Sequence, residues 1–326
     1  MSFHSPILGG RRLTPPGLAQ SRLYREVLQA LGRNCHMVQL GDSGRATLIL
    51  RRAGPLGVLA LMPGGPRWRQ NASITERREA LYDLPRLLRR QGIGALITNC
   101  ATPLEEKILR TEGHLPLITG GYEAQLDLTA TEAQRRARIK GKWRNRLVRA
   151  EAAGVRVTRA RFSARRHGWL LQAEAAQRRA RGYRGLPLTF TATAAQIAPD
   201  QAQLFIAHAG GERLGAMLFL VHEGAASYHI GHLTSAGRAR AAHNLILWQA
   251  ATWLAGQGVA RIDLGPIETE RGAGLARFKL GCGAAPVLRG ASCLYTRATA
   301  PLGRVVAGLS RIAARAPAAR NDPSCR

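Results

Sequence analysis

Residues 227–279 constrain the fold of this chain more than any other stretch. An apolar strand, Ser227–Leu233, passes through a turn of small residues into a helix rich in Ala, Leu and Trp. A glycine turn at Gly256–Gly258 follows, then a short strand, Ile262-Asp263-Leu264-Gly265, and then the pair Phe278-Lys279. Strand, helix and strand in this order imply an α/β (α+β) architecture, with a polar residue, Asp263, near the end of the second strand.

The rest of the chain continues that alternation. A helix is expected from Gln20 through Leu31, then strands at Met37–Leu40, Ala46–Arg51 and Gly57–Met62, punctuated by Gly41, Gly44, Gly54 and Pro55. A helix over Thr75–Arg90 carries Leu81, Leu84 and Leu88 on one face, with a kink expected at Pro85. Ala95–Thr98 reads as a buried strand, Leu104–Arg110 as a short helix and Tyr122–Leu128 as an alternating strand. The second half opens with one long basic helix, Thr131–Ala152, and a strand at Val155–Val157. Helices at Arg165–Arg181 and Thr193–Ile197 come next. Strands Gln203–Ala209, Arg213–Val221 and Ala226–Leu233 are joined by turns at Gly210-Gly211 and Glu223-Gly224. The helix Ala239–Ala255 and strands Arg261–Leu264 and Val287–Tyr295 complete the set. Each half is a mixed, mostly antiparallel sheet flanked by helices, which divides the chain into lobes at 1–128 and 129–297 and a tail at 298–326. In the tail Leu302, Val305, Val306, Leu309 and Ile312 fall at helical spacing among arginines. Such a helix suits peripheral contact with an anionic membrane or packing on its own domain. Ala316–Arg326 is expected to lack fixed structure.

Length and composition set limits. The 326 residues are 45% hydrophobic, enough for two cores and too much for a disordered chain. No apolar run reaches the roughly 18–20 residues that span a bilayer. The N-terminus lacks a basic start with an apolar core, and the five scattered cysteines show neither metal spacing nor a disulfide framework. A cytoplasmic protein without a metal site is expected. Lys and Arg number 48 against 20 Asp and Glu, a net charge of +28. That excess points to an anionic partner such as RNA, anionic lipid or a phosphorylated substrate, or to a coding bias toward arginine. Only Lys107, Lys140, Lys142 and Lys279 are lysines. A lysine kept among so many arginines suggests a need for a compact ammonium.

The order of elements from Tyr228 to Lys279, with a strand ending in Asp263-x-Gly265 ahead of Phe278-Lys279, resembles the last part of the acyl-CoA N-acyltransferase (GNAT) fold. In detail it is similar to the branch that contains the FemAB/FemX-type aminoacyltransferases. The resemblance implies two tandem GNAT-like lobes and transfer of an acyl or aminoacyl group to an amine acceptor, with no permanently bound cofactor. It implies that Phe278 and Lys279 lie at the catalytic centre, the lysine steadying developing charge. A preorganised cation there is worth roughly 3–4 kcal/mol, as for a single oxyanion-hole donor.

Other residues invite roles in the same chemistry. Asp263 can orient an amine or act as base, or else cap a turn or pair with Arg277. Tyr228 offers a phenol to protonate a leaving group. His229 and His232, three apart in a strand, are expected on opposite faces, so that at most one reaches a shared site. The acyl-CoA enzymes of the superfamily carry Gln/Arg-x-x-Gly-x-Gly/Ala, whose amides wrap a pyrophosphate. The corresponding loop here, Thr234–His243, has a single glycine and lacks the motif, leaving Arg238 and Arg240 as side-chain phosphate clamps. The donor is therefore open between aminoacyl-tRNA and acyl-CoA, and the acceptor is unidentified. In the basic helix Arg136, Lys140 and Arg144 can follow a phosphate backbone while Trp143 stacks on a base, making tRNA a candidate partner. Alternatively the helix is solvated and Trp143 docks in the core. A non-enzymatic alternative is a basic RNA- or membrane-associated binding protein on a degenerate GNAT scaffold.

Overall fold

The computed structural model of the protein describes residues 7–8, 11–54, 57–270 and 272–305. Two seven-stranded sheets organise the chain. In the first, the order is Cys35–Leu40, Gly44–Arg52, Val58–Met62, Ile93–Asn99, Ser292–Thr296 and Leu115–Ile118, with Arg67–Trp68 added beside Gly44–Arg52. In the second, it is Arg156–Arg161, Ala202–Ala209, Glu212–His222, Ala225–Leu233, Arg261–Pro266, Tyr122–Asp127 and Ala285–Leu288. Each sheet is antiparallel except at one junction: Val58–Met62 with Ile93–Asn99, and Ala225–Leu233 with Arg261–Pro266. A parallel junction needs a crossover, supplied by the helices Ile74–Arg90 and Ala242–Gly256. The two lobes thus repeat one plan, as the sequence implied.

Local chemistry explains where the helices begin. Ser21, Ser73, Thr102 and Thr131 each accept a backbone N–H with the side chain, and the last of these starts the helix Glu132–Ala137. Ser73 with Glu76 and Thr131 with Gln134 complete reciprocal capping boxes.

Three expectations are corrected. The long basic helix is two helices, Glu132–Ala137 and Gly141–Ala152. At the break Ile139 is buried and Lys140 is extended, its N–H donating to the Gly281 carbonyl at 3.0 Å. The helix expected from Ala239 begins at Ala242, because Ala241 takes a left-handed conformation (φ 51°) after a separate turn of helix, Ser235–Ala239. The strand expected over Val287–Tyr295 is two, Ala285–Leu288 and Ser292–Thr296, in different sheets. Between them the chain crosses over at Gly290, where a side chain would collide with the Thr102 carbonyl and with the Cys100 Cβ. The reverse exchange places Tyr122–Asp127 in the second sheet, so strands cross the boundary drawn at residue 128 in both directions.

Packing unites the lobes. One face of the second sheet is covered by Gly141–Ala152 and Ala242–Gly256, through Trp143, Leu147, Ile246 and Leu254. The other face packs on Ala164–Arg181 and Leu188–Ile197, and this core takes in Leu23, Tyr24 and Val27 of the first lobe. The first lobe keeps a core of its own around Leu48, Leu84 and Leu96. Of the tail, residues 306–326 lie outside the described residues, and Leu302 and Val305 are exposed.

Candidate active site

The second sheet splits at its parallel junction. Ala225–Ser227 pair with Arg261–Asp263, and beyond Tyr228 the two strands part. Irregularities in both strands mark the split: one at Leu218/Phe219 opposite Tyr228–Ile230, the other between Asp263 and Gly265. Bulges of this kind re-aim side chains and end pairing. Two cavities open there, and Tyr228 lines both.

The larger cavity, about 1010 Å³, is bounded by the N-terminal ends of Gly141–Ala152 and Ala242–Gly256 and by the helix Ala273–Gly281. Among the described residues seven cations line it and no carboxylate does: Lys142, Arg146 and Arg149 from the helix Gly141–Ala152, Lys140 just before it, then Arg181, Arg238 and Arg277. None of the seven forms an ion pair among the described residues. Lys142, Arg146 and Arg149 repeat at i, i+4 and i+7, one face of the helix, while Trp143, Leu147 and Ala150 bury another. The positive ends of two helix dipoles add to the charge.

The smaller cavity, about 470 Å³, lies between the lobes. Its charges are balanced: Arg261 and Asp263 pair at 2.9 Å, and Arg289 faces Glu123 at 3.6 Å. Asp263 therefore bonds Arg261, which also donates to the Pro15 and Pro16 carbonyls, rather than Arg277 on the cationic side.

Lys279 is 4% exposed, and its Nζ donates to the Pro266 carbonyl at 2.8 Å. It sits directly behind Gly265, where an added Cβ would stand 3.7 Å from Nζ. Burial pulls its pKa down to about 8. Phe278 lines the cationic cavity between Trp143 and His243, at 6.0 and 6.1 Å between ring centres. The Tyr228 hydroxyl lies over Gly231, where no Cβ would fit, and burial raises its pKa, which keeps the proton on oxygen at neutral pH.

Several proposed roles are corrected by position. His229 and His232 meet the same helical layer: His229 bonds Thr191 at 2.7 Å and packs on Phe190, and His232 packs edge-on against Trp169. The irregularity at His229 cancels the alternation that would have separated them. Neither lines either of these two cavities. Burial lowers both pKa values, that of His229 to about 4. Of the residues proposed to follow RNA, Trp143 is buried against Phe278 and Gly281 and is unavailable for stacking. Arg136 pairs with Glu151 through two bonds of 3.1 and 2.9 Å, and Arg144 donates to the Ala137 and Ile139 carbonyls. Of that set Lys140 and the edge of Trp143 line the cavity, and of the two loop arginines Arg238 does and Arg240 does not.

The sequence reading missed Lys142, Arg146 and Arg149 as a set, although their spacing opposite an apolar face was legible. It also missed His243, whose Nε2 donates to the His232 carbonyl at 2.8 Å, and Arg181, which no local pattern marks. The loop before Ala242 spends its amides internally. Gly237 N–H bonds the Thr234 hydroxyl, and the N–H groups of Arg238, Arg240 and Ala241 bond the carbonyls of Thr234, Ala236 and Arg238.

The comparisons agree with this geometry. Residues 133–285 match the model of the GNAT acetyltransferase domain. No curated protein matches the chain in sequence. The solved structure of FemX superposes with a TM-score of 0.72 at 12% identity, covering 90% of this chain and 96% of that one. The C-terminal domain of a putative lysylphosphatidylglycerol synthetase from Agrobacterium fabrum reaches 0.54 at 11% identity, covering 90% and 93%. L-PGS from Bacillus licheniformis reaches 0.53 at 16%, covering 87% and 95%. By the match over residues 133–285 the chain carries a GNAT acetyltransferase domain and is an acyltransferase. Its two lobes share the fold of FemX.

Proposed function

We propose that the protein transfers an aminoacyl group from aminoacyl-tRNA to an amine, forming an amide. One observation carries this reading: among the described residues, the cavity at the strand split is lined by seven cations without an ion-pair partner and by no carboxylate. A site of that sign and size suits a donor with several phosphates in sequence. The occupied amides of Gly237, Arg238, Arg240 and Ala241 argue against the backbone cradle that a pyrophosphate of CoA would use. FemX is a likeness in the same direction.

In this reading the donor ester enters from the cationic side and the amine from the crevice between the lobes, and they meet at Tyr228 and Gly265. The amine nitrogen attacks the ester carbonyl carbon, the C–O bond to the ribose breaks, and the nitrogen gives up a proton toward the Asp263–Glu123 side. The Tyr228 hydroxyl protonates the departing oxygen, which its raised pKa suits. Lys279, behind Gly265, supplies positive potential as the carbonyl oxygen gains charge.

The test is transfer of radiolabel from charged tRNA into a product that survives mild alkali, which cleaves esters and spares amides. The purified protein should transfer label to amine-bearing acceptors in a cell extract, and the Lys279→Ala protein should not. Label transfer from acetyl-CoA with none from charged tRNA would overturn the donor.

A further inference from the structure

The two sheets each end in an unusual edge. Leu115–Ile118 is the outer strand of the first sheet and Ala285–Leu288 that of the second. Edge strands are ordinarily blunted by charge. In this chain 21% of residues are charged, yet residues 115–122 and 285–288 contain no charge at all. They expose Ile118 (68%), Leu117 (52%), Tyr122 (51%) and Leu288 (41%).

The four belong to one region. Leu288 is the register partner of Tyr122, Ile118 is the partner of Ser292, and Gly120 lies against the Arg289–Gly290 backbone. Thr119, Gly120, Gly121, Tyr122, Arg289 and Ser292 line the crevice between the lobes. The apolar strip is therefore the lip of that crevice.

We propose that this lip docks on an anionic membrane surface, inserting Leu117, Ile118, Tyr122 and Leu288 among the lipid headgroups. Charge selects this occupant. A second copy would carry the same net charge of +28 over its whole chain and be repelled, whereas an anionic bilayer is attracted by the molecule as a whole. Strand addition by a peptide is disfavoured, because Pro116 and Pro286 remove a backbone donor from each edge. Apolar insertion and electrostatic attraction together give the two-part anchoring of interfacial proteins. The inference does not depend on the identity of the acyl donor.

The test is co-sedimentation of the full chain with vesicles of phosphatidylcholine alone or mixed with phosphatidylglycerol. The protein should bind the mixed vesicles, and Leu117→Ser with Ile118→Ser should weaken that binding about tenfold or more, with net charge unchanged. Undiminished binding by this double variant, or no binding by the parent, overturns the proposal. So does a parent dimer, seen by analytical ultracentrifugation, that the double variant abolishes. Should the double variant not fold, Ile118→Trp provides the readout. Brominated phosphatidylglycerol should quench its fluorescence beyond the quenching of the parent, and equal quenching counts against insertion.

Discussion

Lys279 donates to the Pro266 carbonyl and meets almost no solvent. Its charge is therefore held close to Gly265 and shielded poorly, the condition under which a cation stabilises a developing oxyanion most. Lys279→Ala should lower turnover roughly 100-fold while the protein stays folded. Lys279→Arg should restore little, since a planar fork does not fit the ammonium's place. The pKa near 8 adds a sign: the ammonium is lost as pH rises through about 8, so turnover should fall on that alkaline limb. Stability should move oppositely, because between about 8 and the ordinary lysine value of 10.5 the unfolded chain binds the proton better. A pH–rate profile alongside melting curves separates the two. Tyr228 is tested through its neighbour. Gly231→Ala has no room beneath the hydroxyl and should cut turnover comparably to Tyr228→Phe, each by roughly 100-fold. Normal turnover in both would remove Tyr228 from the mechanism.

At the scale of elements, the helix Gly141–Ala152 divides its labour by face. Trp143, Leu147 and Ala150 pack inward, and Lys142, Arg146 and Arg149 line the cavity. Trp143→Ala should therefore lower the melting temperature sharply, with a cost of about 3–5 kcal/mol. The strands and helices themselves were largely readable from apolar period and glycine turns, as in the Glu212–His222 and Ala225–Leu233 pair joined at Glu223-Gly224. What escaped the sequence were breaks fixed by distant partners. Lys140 leaves the helix because its N–H finds Gly281, and residues 287–295 change sheets because Gly290 nests against Thr102. The same limit governed the site. Phe278-Lys279, Asp263 and Arg277 were named from the sequence, whereas Arg181 reaches the cavity through tertiary packing alone.

Across the whole molecule, the lobes are clasped by a hairpin tip. Glu223, itself at a positive φ of 31°, accepts from Arg67 at 2.7 Å and from the Arg22 backbone at 3.0 Å. The Arg67 side chain is 1% exposed. Removing its partner strands a buried guanidinium, so Glu223→Ala should cost about 3 kcal/mol or more in urea unfolding. An unchanged unfolding midpoint would mean that the clasp does not couple the lobes. The salt dependence of charged-tRNA affinity measures directly what the cationic cavity holds. Filter binding should give micromolar or tighter affinity, with log K falling steeply against log salt. Replacing Lys142, Arg146 and Arg149 together by Gln should make that slope shallower by roughly 2–3 units, at roughly 0.7–0.9 per phosphate contact. Acetyl-CoA should bind weakly in calorimetry. Tight acetyl-CoA binding, with a tRNA slope that the triple substitution leaves untouched, would contradict charged tRNA as the donor.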